Sequence, residues 1–129
     1  MIYAVRVIIA TVCLFLGIST YAEEDVQPWR HPDVLKAAID IGMNAEQRPQ
    51  FQEAITEMLQ GYGSDVRKLM RAHNQTNLPK KIEKKRKVRV KALDKTVAGF
   101  LTEDQMNAYA IYRDTLLDKM AERAAARRR

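Results

Sequence analysis

The chain has 129 residues, of which 22 are basic and 16 are acidic, and a single cysteine, Cys13. This length is typical of one domain. A single cysteine excludes an internal disulfide, and the position of Cys13 within an apparent export signal excludes thiol catalysis in the mature chain. There is no glycine-rich phosphate loop and no Ser/His/Asp grouping at an informative spacing. We therefore expect a protein that is not an enzyme and that has no cofactor.

The first 22 residues have the pattern of a secretory signal sequence. Arg6 supplies the positive charge, residues 7–18 form the apolar run, and small residues precede Glu23 at the −3 and −1 positions. A retained membrane anchor is the alternative, but this run is well short of the roughly 20 residues that span a bilayer. We predict cleavage after Ala22 and a periplasmic location.

Residues 23–31 lack helical periodicity, and we interpret them as a flexible arm before a single helical domain at 32–129. Trp29 lies in this arm and either docks on the helices, which is the favoured interpretation, or stays free for apolar contacts. A short helix is expected from Pro32 to the stop at Gly42. Its predicted apolar stripe consists of Val34, Leu35, Ala38 and Ile41.

A long second helix is predicted from Ala45 to His73, about 43 Å at 1.5 Å per residue. Asn44 is an N-cap type of residue, and Gln47 follows it at the spacing of a capping box. Because Pro49 removes one hydrogen bond, either the first turn is kinked or the regular helix begins late. The predicted apolar stripe of this helix consists of Phe51, Ile55, Met58, Leu59, Tyr62, Val66, Leu69 and Met70.

The polar segment at 74–79 predicts a short loop, so that the second and third helices are antiparallel neighbours. The third helix opens with eight basic residues and one acidic residue between positions 80 and 91, and it ends at Gly99. The fourth helix is predicted to begin at Thr102. Gln105 completes a capping box with Thr102, and Leu101 is placed for a hydrophobic staple with the following turn.

The same order of residue types therefore opens two long helices, at Met43, Asn44 and Gln47 and again at Leu101, Thr102 and Gln105. Paired Leu-Thr-x-x-Gln motifs in a small, helical, exported protein resemble the Spy/CpxP-like family of periplasmic chaperones, which also contains metal-responsive relatives. The resemblance covers roughly residues 32–120. The second motif matches in full, whereas the first has Met for Leu and Asn for Thr.

These patterns predict an all-α fold of four helices: one short helix, a long antiparallel hairpin and a C-terminal helix. Long, thin helices bury little surface in a monomer of this size, so we expect an elongated or cradle-like dimer. Charge is divided between the two halves, with 3 basic and 9 acidic residues in 23–65 (−6) and 18 basic and 7 acidic residues in 66–129 (+11). The two halves partly neutralise each other, and a basic surface remains for an acidic or unfolded partner.

The basic segment that opens the third helix has several interpretations. It is a solvated face that balances the acidic half, a client-binding surface, or a surface that contacts anionic membrane lipids. Nucleic acid is not expected as a partner, because the segment has no interleaved aromatic residues. The resemblance favours the second interpretation, in which a basic and partly apolar face holds unfolded proteins without ATP. The predicted client-binding residues are Ile82, Lys84, Lys85, Arg86, Lys87, Val88, Arg89 and Val90.

We therefore expect a chaperone-like protein whose partners are non-native proteins and a second copy of itself. The alternative is a stress- or metal-sensing regulator that binds a partner or a metal ion. His31 and His73 are the only histidines and make a weak ligand set, so no metal site is predicted, and His73 is expected to be partly buried at a helix end. Arg113 lies within the apolar stripe of the fourth helix. It needs an acidic partner if that face is core, and none if the face is an open rim.

Overall fold

The structure, a computed structural model, describes residues 27–127. A 3-10 helix, Pro28–Arg30, precedes four α-helices, and no strand occurs within this range. The helices are α1 (Pro32–Asp40), α2 (Gln47–Arg71), α3 (Leu78–Ala98) and α4 (Glu103–Arg127). The predicted all-α fold with a long helical hairpin is confirmed. The predicted signal sequence at 1–22 and the first part of the arm, 23–26, lie outside the described residues.

The closely packed pairs of helices are α2 with α3 and α1 with α4, and the 3-10 helix packs against both α1 and α4. One hydrophobic core joins the two pairs. Phe51 of α2 lies edge-on to two rings of α4, with its centroid 6.3 Å from that of Tyr109 and 5.1 Å from that of Tyr112. The core residues are Val34, Ala37, Ile41, Phe51, Ala54, Ile55, Met58, Leu93, Val97, Leu101, Tyr109, Tyr112 and Leu116.

The bounds of α2 settle the alternatives at Pro49. The regular helix begins at Gln47 rather than at Ala45 and ends at Arg71 rather than at His73. Its 25 residues therefore span about 37 Å. The late start lets Pro49 lie in the first turn, where its missing N–H costs little. None of the helices within 27–127 combines the length and the apolar character needed to cross a bilayer.

Two apolar residues assigned to buried stripes are exposed. Leu35 of α1 is 49% exposed, because it lies about 100° around the helix from Val34. Met70 is 58% exposed near the end of α2. Trp29, in the 3-10 helix, is 38% exposed and is therefore only partly covered.

Both predicted capping boxes are present. Asn44 Oδ1 accepts from the backbone N–H of Gln47 at 2.8 Å, and Gln47 Oε1 accepts from the N–H of Asn44 at 3.0 Å. Thr102 Oγ1 accepts from the N–H of Gln105 at 3.3 Å, and Gln105 Oε1 accepts from the N–H of Thr102 at 3.0 Å. Each motif thus satisfies backbone donors that a helix start would otherwise leave unpaired.

The two motifs also contact each other through a pair of glutamine side chains, which we call the glutamine pair (Gln47 and Gln105). Each carboxamide donates to the other, at 2.9 and 3.0 Å. Gln47 Nε2 also donates to the carbonyl of Phe100, and Gln105 Nε2 donates to the carbonyl of Gly42. Each of these carbonyls lies two residues before the cap of the opposite motif, so the arrangement has approximate twofold symmetry. The starts of α2 and α4 are tied together in this way.

Arg113 has the acidic partner that a position near the core requires. Its Nη1 lies 3.1 Å from Asp94 Oδ2 of α3, and its Nε donates to Asp114 at 3.0 Å. Asp94 also accepts from the hydroxyl of Tyr109 at 2.7 Å. Tyr109 is 1% exposed, and burial, together with this hydrogen bond, raises the pKa of its phenol. This network joins α3 to α4.

Candidate functional site

The candidate site is the far part of the α2–α3 hairpin, residues 59–92, which we call the distal hairpin. No residue of this stretch is buried, whereas both helices contribute buried residues outside it. The apolar side chains that line the two helices here are half-buried. They are Leu59, Tyr62, Val66, Leu69, Leu78, Ile82 and Val90. The distal hairpin therefore keeps apolar surface within reach of a partner.

The distal hairpin is also the most basic part of the described chain. It has 11 basic and 2 acidic residues, a net charge of +9, compared with +6 for the whole sequence. The two acidic residues, Asp65 and Glu83, each form an ion pair with an arginine of α3. Most of the basic side chains therefore have no carboxylate partner among the described residues, and they create a strong positive potential.

The predicted client-binding residues divide into two groups. Lys84, Lys85 and Lys87 are exposed and form no ion pair within the described residues, and Val88 beside them is 57% exposed. The other four residues are half-buried, and two of them are held in ion pairs. These four are Ile82, Arg86, Arg89 and Val90. The first group forms an outward surface, whereas the second group belongs to the scaffold of the hairpin.

Arg89 joins α3 to α2. Its Nε and Nη2 donate to the two carboxylate oxygens of Asp65 at 2.7 and 3.1 Å. Through these hydrogen bonds the guanidinium lowers the pKa of the Asp65 carboxyl below its ordinary value. Gly61 leaves room for this side chain, since a Cβ at position 61 would lie 2.6 Å from Arg89 Nη1. The position of Arg89 in the ion pair with Asp65 therefore depends on a residue without a side chain at position 61.

Arg86 pairs within its own helix. It donates through Nε to Glu83 at 2.9 Å, and the hydrogen bonds from Arg86 lower the pKa of Glu83. A guanidinium committed to a carboxylate three residues away is less available to bind a partner. The lysines of the outward surface are not restricted in this way.

Neither histidine belongs to a cluster of possible metal ligands among residues 27–127. His31 Nδ1 accepts from the backbone N–H of Asp33 at 3.1 Å, so it caps the start of α1. His73 lies beyond the end of α2 and is exposed, so the expectation that it is partly buried was wrong. Within residues 27–127, no group of three or more His, Cys, Asp or Glu side chains is arranged to hold a metal ion.

An open depression lies along the first half of α2. Its lining residues are mostly of polar types and include the carboxylates Glu53 and Glu57, one helical turn apart. Neither residue is buried, and acids at this spacing are common on exposed helices.

Three contacts were not predicted from the sequence: the glutamine pair, the Asp65–Arg89 ion pair and the network around Asp94. For the glutamine pair a signal was available, because Gln47 and Gln105 hold the same position in two copies of one motif. The other two depend on the register between helices, which periodicity does not fix.

Comparison of the chain with protein-family models, with curated proteins and with solved structures gives no match.

Proposed function

We propose that this protein is a periplasmic, ATP-independent chaperone that holds non-native proteins on the outward surface of the distal hairpin. The observation that carries the proposal is a basic hairpin, +9 over residues 59–92, in which no residue is buried. Positive potential attracts acidic segments of unfolded chains over a distance of about 10 Å. Half-buried apolar side chains then provide contacts that retain them.

The chemistry of the outward surface supports binding without specificity. Lys84, Lys85 and Lys87 have flexible stems with compact charges, and they form no ion pair among the described residues that would fix their geometry. Exposed Val88 and Met70 add apolar surface, and a thioether adapts to differently shaped partners. Such a surface accepts many sequences, as a holding chaperone requires. No step in this mechanism needs ATP, a metal ion or a catalytic group.

A homodimer is part of the proposal. Large apolar side chains outside the distal hairpin, namely Leu35, Ile39 and Ile111, are exposed and would lose contact with water if a second copy packed against them. Two copies would also place two basic hairpins in one assembly and enlarge the surface that a client meets. Sedimentation of the purified protein tests this point directly, and a monomer at all concentrations would refute it.

Light scattering tests the function. A denatured model protein is diluted into buffer with and without this protein, and we expect suppressed aggregation that weakens at high salt and is unaffected by a chelator. In the variant K84Q/K85Q/K87Q, half-suppression should require a several-fold higher concentration. The matched control R30Q/K36Q/R48Q removes the same charge from exposed positions outside the distal hairpin and should behave as the unmodified protein.

Two results would contradict the proposal. Equal loss of suppression in both triple variants would mean that client binding depends on net charge and not on the outward surface. No suppression by the unmodified protein at several-fold excess would favour the alternative of a regulator with one specific partner. Circular dichroism of both variants verifies that the helices remain intact.

A further inference from the structure

A row of lysines follows the outer face of α3 over most of its length. Positions 80, 84, 87, 91 and 95 recur at intervals of three and four residues, so they share one helical face about 22 Å long. All five side chains are exposed, and none forms an ion pair within residues 27–127. We call these five residues the lysine row: Lys80, Lys84, Lys87, Lys91 and Lys95.

No negative charge interrupts the lysine row. The only acidic residues of α3 are Glu83 and Asp94. Glu83 is held by Arg86, and Asp94 is turned toward α4, where it binds Tyr109 and Arg113. Both carboxylates of the helix are therefore paired with arginines at the edge of the row, and although the charge of Glu83 also reaches Lys87, the row itself contains positive charge alone.

We propose that the lysine row binds the anionic surface of a lipid bilayer and holds the protein at the membrane. This inference shares Lys84 and Lys87 with the proposed client-binding surface, but it extends along α3 to lysines outside that surface, so it can be tested separately from client binding. The partner is a plane of phosphate-bearing lipid headgroups, not one defined ligand.

The shape and side chains of the face favour a bilayer over other polyanions. The outer side of a helix is convex, so it meets a flat surface along a line and cannot enclose a single chain. α3 has no aromatic residue on which a base could stack. Its two arginines, which would grip a phosphate with two hydrogen bonds, are both committed to carboxylates.

The apolar components of the face also fit the headgroup region. Val88 is 57% exposed beside the row, and lysine stems are apolar up to the ammonium group. A basic helix with a few apolar contacts lies along a bilayer surface without crossing it. Diffuse attraction to lipid charge needs no fixed geometry, which agrees with lysines that have no partner in the described structure.

The test uses the chain recovered after export and vesicles of phosphatidylcholine with and without phosphatidylglycerol. We expect cosedimentation only with the anionic vesicles and its loss at high salt. The variant K80Q/K91Q/K95Q removes three lysines of the row that lie outside the predicted client-binding set. Each lysine near an anionic surface contributes roughly a fivefold change in affinity, so the variant should bind about a hundredfold more weakly.

The control R30Q/K36Q/R48Q has the same net charge as that variant and should lose no more than a few-fold in affinity. An equal loss in both variants would overturn the proposal, because it would mean that net charge alone decides binding. Equal affinity for soluble polyglutamate and for anionic vesicles would overturn it in favour of a polyanion site. In light scattering, K80Q/K91Q/K95Q should raise the concentration needed for half-suppression less than K84Q/K85Q/K87Q does, because it removes two charges from the distal hairpin and none from its outward surface. Loss of vesicle binding together with near-complete client suppression separates the failure of this inference from the failure of the proposed function.

Discussion

Replacement of Gln47 tests the connection between the two helix-start motifs. Its carboxamide takes part in four hydrogen bonds: two with Gln105, one from the backbone of Asn44 and one to the carbonyl of Phe100. Gln47 is 8% exposed, so water cannot readily take over these roles. Since each hydrogen bond contributes about 1 kcal/mol net, Gln47→Ala should lower the free energy of unfolding by about 4 kcal/mol.

The double variant gives the sharper result. Gln105→Ala removes the same two mutual hydrogen bonds, together with the one from the backbone N–H of Thr102 and the one to the carbonyl of Gly42. Because both single variants lose the mutual bonds, Q47A/Q105A should be more stable than the sum of the single effects predicts, by about 2 kcal/mol. Urea unfolding followed by circular dichroism measures all three variants. Additivity within about 0.5 kcal/mol would refute the reasoning, because independent sites add to that precision.

Gln50→Ala is the matched control. Gln50 is exposed on the same helix, and its one hydrogen bond, at 3.2 Å, goes to the carbonyl of Glu46. Its replacement should change the free energy of unfolding by less than about 0.5 kcal/mol. Gln47→Glu adds a test by pH. A carboxylate cannot donate to Phe100, so its pKa should be raised in the folded state, and this variant should gain stability as the pH falls.

Two further predictions use pairs of matched variants. Gly63→Ala should raise the free energy of unfolding by about 1 kcal/mol through helix propensity, whereas Gly61→Ala should gain less because its Cβ displaces Arg89. In an Arg89→Ala background the two glycine variants should become equal by urea unfolding, and a persistent difference would contradict the steric explanation. Tyr109→Phe should cost about 2 kcal/mol through loss of a hydrogen bond to a carboxylate, while Tyr112→Phe should be nearly neutral at pH 7. Burial raises the pKa of Tyr112 to about 12. The preference of the folded state for the neutral phenol therefore has its full effect on stability below pH ~10, and this effect is lost as the pH rises toward 12. Alkaline denaturation of Tyr112→Phe should be reduced accordingly, and an unchanged alkaline profile would contradict this assignment.

The features that the sequence predicts well are local. The capping boxes at Asn44 and Thr102 involve residues three apart, and the structure contains both. The loop at 74–79 lies between two strongly periodic segments, so the antiparallel hairpin was predictable as well. Local hydrogen bonds and helical periodicity depend on neighbours in the chain, which are known in advance.

The features that the sequence misses depend on how one helix is placed against another. Gln47 and Gln105 are 58 residues apart, and the cap at each motif is complete without the other. In the sequence, Arg89 is one more cation of a basic run. Only the register of α2 against α3 places Asp65 opposite it. For Arg113 the sequence predicts that an acidic partner is needed if the face is core, but it does not identify Asp94 as that partner.

The contrast between the two parts of α2 has a consequence for local unfolding. The first part of α2 has five buried residues, Gln47, Phe51, Ala54, Ile55 and Met58, whereas its distal part has none. Opening the distal part therefore exposes little apolar surface that folding had removed from water, while opening the first part disrupts the core. Within one uninterrupted helix, we expect the amides of the first part to exchange with solvent only on global unfolding and those of the distal part to exchange through small local openings. We therefore expect the distal end of the hairpin to open locally while its base stays folded.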